Sequence, residues 1–598
     1  MKKLLPLLFL SFLFSCKNSS NSPLFRLVSA EESGVNFNNL VEENEELNLL
    51  KYQYMYNGGG VAVGDVNGDG LADVYFSGNM VENKLYLNKG KQGNSPFSFE
   101  DITEKAGVKG RKKWKTGVSM VDINADGKLD IYVCYSGPGT DEERKNELYI
   151  NNGISNGVPT FTESAEKYGL DASGTYTTQV AFFDMDKDGD LDCFMANHAD
   201  MFFNAFFNTE RLRNTRHPKY GNRLYRNDEG YFHEVSVEAG VHGSGLNFGL
   251  SVSVGDLNQD NWPDLYVAND YNEQDFLYIN QQNGTFKEVL KQSMGHISKN
   301  SMGTGIVDFN NDELADIVSL DMLPESNYRQ KLLKGPDEYD TYQLLVDSGF
   351  YHQNTRNMLQ INQGISDKGI PVFSEVGQMA GISNTDWSWS PLAGDFDNDG
   401  RKDLLVTNGF LRDFTNMDFL KYTYQEEVDK AQNAGQQLNT WQLIQQMPST
   451  KTSNYVFRNI SQNQFAQFED ATKSWGLEEP TVSTGAAYAD LDNDGDLDLI
   501  INNSNQVAQI YENQHAPEQS HFLKIQLKGN TPNTAGIGAK VVVKTRDQTQ
   551  MQELYPAQGF QSSVEPILHF GLGQNTKIES VEIYWSSGKK SILSNLQA

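Results

Sequence analysis

The chain has 598 residues, enough for one large closed domain plus a small one. Its net charge is −30, from 79 acidic against 49 basic residues. That balance excludes a nucleic-acid partner, which wants a basic surface.

Residues 1–15 read as an export signal. Lys2 and Lys3 form its positive region, and the apolar run from Leu4 to Phe14 is too short to span a membrane. Leu13-Phe14-Ser15-Cys16 resembles a bacterial lipobox, which implies cleavage before Cys16 and acylation of its thiol. Residues 16–23 then form a polar tether. No later segment reaches membrane-spanning length, so contact with a membrane is expected only through the lipid.

From residue 65 onward an acidic nonapeptide recurs seven times, in the form Asp-x-Asn/Asp-x-Asp-Gly-x-x-Asp. Positions one, three, five and nine are Asp65, Asn67, Asp69 and Asp73 in the first loop and Asp122, Asn124, Asp126 and Asp130 in the second. The third has Asp184, Asp186, Asp188 and Asp192; the fourth has Asp256, Asn258, Asp260 and Asp264. The fifth has Asp308, Asn310, Asp312 and Asp316; the sixth has Asp395, Asp397, Asp399 and Asp403. The seventh has Asp490, Asp492, Asp494 and Asp498. Oxygens at this spacing can converge on one hard cation, and calcium suits so flexible an oxygen cage better than magnesium. Those positions hold 24 aspartates, so bound calcium would account for much of the acidity. Asp, Asn and Gly are also ordinary turn residues. That bland reading serves for one copy but poorly for seven at fixed spacing.

An EF-hand is excluded, because it needs Glu at position twelve and flanking helices. Position twelve here is Phe76, Val133, Met195, Val267, Ser319, Val406 and Ile501, and the flanks are short strand-like runs. Glycine at position six permits a positive-φ turn. Asn261 replaces it in the fourth loop and tolerates that conformation; Glu313 replaces it in the fifth, at about 1 kcal/mol. The fifth loop is therefore expected to be the weakest of up to seven calcium sites.

After most loops come further strand-like segments, such as Lys84 to Asn88 and Phe99 to Asp101, so each unit supplies about four short strands. Phe25 to Ser29, followed by Gly34-Val35, resembles the closing segment of such a unit but stands ahead of the first loop. The seventh loop lacks that segment after Asn513. The N-terminal strand is thus expected to complete the last unit and close a seven-bladed β-propeller over residues 24–515, in an all-β chain. Cys134 and Cys193 fall in different blades and are expected as buried free thiols. The pattern resembles the FG-GAP/VCBS repeats of integrin α-subunit propellers. That resemblance implies calcium in the nonapeptide loops.

Three insertions follow the second strand of a unit and are expected on one face of the disc. They begin at His198 (to Tyr220), Asp321 (to Asn357) and Phe410 (to Ser453), and the last reads as helical. Residues 520–598 lack an acidic loop and read as a small β domain. Asn533, Gly536 to Ala539, His569 to Gly573 and Trp585 to Gly588 resemble the ASPIC/UnbV domain, which follows such propellers in the cartilage acidic protein family. His569, in an apolar run, is expected to be structural.

No nucleophile elbow, zinc-protease motif or phosphate loop is present. The expected function is a calcium-stabilised binding or adhesion module for a glycan or protein, lipid-anchored at the bacterial outer membrane and facing outward. The alternative is a polysaccharide lyase or hydrolase on a propeller scaffold. Its acid/base groups would come from Tyr220, His198, Arg216 or His352, with His198 and Asp200 forming a surface pair.

Overall fold

The computed structural model describes residues 23–93, 95–201, 209–333, 339–462, 465–515 and 520–597. The export signal, Cys16 and most of the tether lie outside the described residues, as does the Phe-rich part of the first insertion.

Short apolar runs become inner strands buried on both faces, while the outermost strand of a unit is partly exposed. In the first unit Val61–Gly64, Asp73–Phe76, Lys84–Asn88 and Phe99–Asp101 pair antiparallel in that order. Six further sheets repeat the pattern among the described residues, five of them four-stranded and the sixth unit's carrying Met322–Leu323 as an added fifth strand. Their first strands are Lys115–Val121, Thr177–Phe183, Gly249–Gly255, Thr304–Val307, Asp386–Gly394 and Ser483–Ala489. Each first strand touches the next around a closed circuit, and the last returns to Val61–Gly64. This is the architecture of a β-propeller, with the first strands around a central hub.

Phe25–Val28 is the fourth strand of the last sheet and pairs antiparallel with Gln509–Asn513, from Phe25 opposite Asn513 to Val28 opposite Ile510. One helical turn follows it, Ala30–Ser33, ended by Gly34 at φ +79°. The same helical turn and left-handed glycine close the first, second, fifth and sixth units, at Gly107, Gly169, Gly381 and Gly476. The N-terminus is thus one unit's ending carried to the front of the chain. Cys134 and Cys193 are free and buried.

The acidic loops join first to second strands, so all seven lie on one face. The insertions leave the far end of the second strand and lie on the other. There Tyr52, Tyr54, Met55 and Tyr56 pack with Trp114, Tyr176, Trp389 and Phe410 into an aromatic cap over the hub, joined by Leu443 and Ile444 of the third insertion. The third insertion is helical as read, with Gln425–Asn433 and Thr440–Gln445.

The C-terminal region pairs His521–Gln526 with Ile567–Gly573 and stacks four further strands between Lys540 and Gln597. It is more than an appended β domain. The hairpin Ala557–Gln558 with Ser562–Ser563 leaves it and threads the hub. Ser563 pairs in parallel with Ala62 of the first sheet. Gln561 O accepts from Val118 N at 3.0 Å, and Gln561 N donates to Gln179 Oε1 at 3.2 Å. Phe560, fully buried, meets Trp389 at 5.1 Å between ring centroids. A Cβ on Gly60 would stand 1.7 Å from Gln561 O, so only glycine admits the hairpin there. Phe560→Ala is expected to cost about 3–5 kcal/mol. A urea midpoint shift in the whole chain measures it, and an unchanged midpoint would show the hairpin to be dispensable.

Candidate metal centres

The acidic loops share one backbone form. Position six has positive φ in all seven, including Asn261 at +63° and Glu313 at +65°. Position four does too, from Gly68 at +76° to Asn398 at +53°, a second left-handed residue that the sequence pattern did not disclose. Two left-handed residues two apart curl the loop so that its N–H groups turn inward.

The position-nine aspartate anchors each loop. One oxygen accepts from the backbone N–H at position two, as Asp73 does from Val66 N at 3.0 Å. The other accepts from the backbone N–H of an asparagine in the third strand, as Asp73 does from Asn88 N at 2.8 Å. That asparagine is Asn88, Asn151, Asn227, Asn280, Asn362, Asn459 or Asn513. Its side-chain amide donates to the position-eight carbonyl of its own loop. In six units it also donates to the position-two carbonyl of the preceding unit's loop, as Asn151 does to Val66 O at 2.9 Å and Asn88 to Leu491 O at 2.8 Å. Loops and blade contacts are therefore one network. The repeated Asn was visible in the sequence, but its cross-blade role was not.

The loops differ at position one. Asp65, Asp122, Asp256, Asp308 and Asp395 accept inward-turned backbone N–H groups, as Asp65 does from Gly68 N at 2.7 Å and Gly70 N at 2.8 Å. Asp184 in the third loop is 3% exposed, and neither of its oxygens makes a well-formed hydrogen bond, the backbone N–H groups of Lys187 and Gly189 stabilising its charge only weakly. Asp490 Oδ1 in the seventh is likewise buried without a donor, as are Asp190 Oδ1 and Asp496 Oδ1 at position seven of these two loops. Ligand oxygens of Asp184, Asp186 and Asp192 lie within 4.8 Å of one another, and so do those of Asp395, Asp397 and Asp399, and of Asp490, Asp492 and Asp494. Burial, then repulsion from Asp188 and Asp186, pushes the Asp184 carboxyl up to about 7. Burial, then repulsion from Asp498 and Asp494, pushes Asp496 up to about 10. Buried carboxylates that repel one another and lack well-formed hydrogen bonds fit an oxygen-seeking divalent cation, whose charge would reverse these shifts. The sixth cluster is partly neutralised already, by Arg458 on Asp397 at 2.7 Å and Arg401 on Asp399 at 2.7 Å.

The C-terminal domain covers this face. Thr534 Oγ1 donates to Asp122, Gly571 N to Asp395 Oδ2 at 3.1 Å, and Lys524 Nζ to Asp490 Oδ2 at 3.4 Å. Lys402 Nζ reaches back to His569 O at 3.0 Å. His569 is structural: it is buried, and its Nε2 lies 2.6 Å from Asn398 Oδ1. Burial and nearby Lys402 and Lys524 push its pKa down to about 3.

The acid/base candidates are not assembled. His198 is 1% exposed and does not pair with Asp200. Its Nε2 bonds Ser136 Oγ at 2.6 Å and its Nδ1 bonds Ala199 O at 2.8 Å, while Asp200 accepts from Tyr176 OH at 2.9 Å. A histidine beside strand-end residues at the hub is drawn inward by the aromatic cap, which spacing alone did not show. Tyr220 stacks on His217 at 3.9 Å, Arg216 is bonded to Asn222 O and Glu234, and His352 bonds Tyr342 OH at 2.7 Å in another insertion.

Comparison with known proteins agrees with this anatomy. The family described as FG-GAP-like repeat matches residues 65–133, 122–195 and 256–319, and the family described as ASPIC and UnbV matches residues 529–598. Cartilage acidic protein 1 of Mus musculus is 24% identical over 564 residues, covering 89% of this chain and 70% of that protein. The Homo sapiens protein of the same name is 23% identical over 614 residues, covering 98% and 76%. Integrin alpha-8 of Gallus gallus is 28% identical over 160 residues, covering 25% of this chain and 15% of that protein. The chain thus carries FG-GAP-like repeats and a C-terminal ASPIC and UnbV domain, and is similar along most of its length to cartilage acidic protein 1.

Proposed function

We propose that the protein is a calcium-stabilised, lipid-anchored module of the bacterial cell envelope that binds a glycan or protein ligand on its insertion face. The observation that carries this reading is the difference between the two faces. The loop face is occupied by the C-terminal domain. The insertion face presents Tyr328, Tyr339 and Tyr422 at 75%, 73% and 69% exposure, on helices or turns of the second and third insertions. Tyrosine offers a rigid apolar ring with a polar tip, the side chain that pays least entropy for contact area. Calcium, in this reading, supplies charge neutralisation inside the loops and no chemistry. A glycan and protein array, run with and without calcium, tests the function. Binding that survives Tyr328→Ala with Tyr422→Ala would move the site off this face. Release of new reducing ends or unsaturated products from a polysaccharide panel would instead support an enzyme.

Unequal loops should respond unequally. Asp494→Ala removes a ligand from a crowded loop with its glycine in place, and is expected to abolish about 2.7 kcal/mol of calcium stabilisation at a hundredfold excess over Kd. Asp312→Ala, in the loop where Glu313 is held at positive φ, is expected to remove under about 1 kcal/mol. Equal melting shifts would overturn the ranking.

Anchoring is assigned to Cys16, which ends the apolar signal run, at the outer membrane with the disc facing outward. Among the described residues no helix is long and apolar enough to cross a membrane. Cys16→Ser is expected to block lipid labelling, and protease shaving of intact cells reports the orientation. Full protection would place the disc on the periplasmic side.

A further inference from the structure

Loop four differs from loop three in one respect that matters for metal. Asp184 of loop three has two buried oxygens that make no well-formed hydrogen bond and draw only weakly on the backbone N–H groups of Lys187 and Gly189, and no ion pair among the described residues holds it. Asp256 of loop four has none to spare. Its Oδ1 accepts from Asp260 N at 2.9 Å, and its Oδ2 accepts from Asn261 N at 2.9 Å and from Lys540 Nζ at 3.2 Å. Lys540 comes from the C-terminal domain, where it stands opposite Glu553 across two paired strands. Glu553 Oε2 in turn accepts from Asp256 N at 2.9 Å. The cross-strand pair therefore grips Asp256 by its carboxylate and by its own N–H. Both partners are held: the Asp256 side chain is 6% exposed and that of Lys540 is 20% exposed, its ammonium 5.7 Å from the Tyr584 ring centroid.

We propose that loop four is a socket for Lys540 rather than a calcium site. This rests on the reading of the other loops as calcium sites. Lys524 also reaches position one of loop seven, 3.4 Å from Asp490 Oδ2, but four further aspartates crowd that loop and Asp490 Oδ1 keeps no donor, so one ammonium does not satisfy it. A divalent ion at Asp256 would sit beside a like charge in a largely desolvated place, so ion and ammonium exclude each other. Exclusion is reciprocal: what displaces Lys540 binds more weakly because Lys540 is there. The ligand set is otherwise complete, with Asp256, Asn258, Asp260 and Asp264 in place. Removing the ammonium should therefore restore a site. It also follows that this point of domain docking is indifferent to chelators.

The test counts calcium bound per chain by equilibrium dialysis on the full chain carrying Cys16→Ser, with folding followed by circular dichroism. Asp184→Asn is expected to lower the count by one and Asp256→Asn to leave it unchanged. Lys540→Met should raise the count by one, and Lys540→Arg should leave it unchanged. Loss of one calcium in Asp256→Asn, or an unchanged count in folded Lys540→Met, overturns the proposal. Should the parent chain bind no calcium at all, the reading of the loops fails separately. The socket is then judged by a double-mutant cycle of Lys540→Met with Asp256→Asn on urea stability: a double variant no less stable than the weaker single one supports it, and additive losses overturn it.

Discussion

Stripping divalent cations is expected to lower the melting temperature of the whole propeller by on the order of ten degrees. Each site held at a hundredfold excess over its Kd adds about 2.7 kcal/mol to the folded state. The third, sixth and seventh loops, with their clustered oxygens, would together add about 8 kcal/mol, and each kcal/mol shifts a domain this large by a degree or so. The effect should reach every blade, because the loops are tied to one another. Asn513 of the seventh unit donates to Phe396 O of the sixth loop, and Asn88 of the first donates to Leu491 O of the seventh. Collapse of the third or seventh loop would leave buried carboxylates such as Asp184 to be protonated or hydrated, loosening the cross-blade bonds. Thermal melts in calcium and in excess chelator, with metal removal verified, measure this. Coincident curves would mean that backbone N–H groups alone satisfy the loops.

How much of this was written in the sequence depends on the length scale. Period and spacing disclosed the loops, the four-strand unit and the role of Phe25 to Val28, because each is a local pattern repeated many times. Fold class followed from the same repetition. Two features escaped for physical reasons. The residue at position four is Gly, Ala, Lys, Gln or Asn, so its common left-handed φ leaves no compositional trace. The hub hairpin around Phe560 is held by contacts hundreds of residues away in the chain, among them Ser390 Oγ, which accepts from Phe560 N at 3.1 Å. A short segment with Gly559, Phe560 and Gln561 in a tail of strands carries no mark of where it inserts. The same limit applies to His198: its spacing after the third loop suggested a surface pair, while Tyr54 and Tyr176 enclose it at 4.5 and 5.4 Å between ring centroids.

Removing Phe25–Val28 is expected to unfold the ring rather than one blade. The deletion abolishes the ladder with Gln509–Asn513 and exposes that strand as an open edge. It also removes Phe25, 1% exposed, from its contacts with Phe396 at 5.8 Å and Trp475 at 6.2 Å. Loss of the phenyl ring alone is worth about 3–5 kcal/mol, and each lost ladder bond adds about 1 kcal/mol. Arg26, whose Nε bonds Glu512 Oε2 at 2.6 Å, goes with them. Against a net stability of roughly 5–15 kcal/mol, that is a large fraction, and a closed ring has no independent blade to sacrifice. The urea midpoint of the variant should fall steeply, with first and last sheets losing amide protection together. Deleting Lys17 to Ser22 shortens only the polar tether and should leave the midpoint where it was. If the two deletions give the same midpoint, the N-terminal strand does not close the ring. If only the seventh sheet loses protection, the blades fold independently, and the cross-blade asparagine network does not couple them.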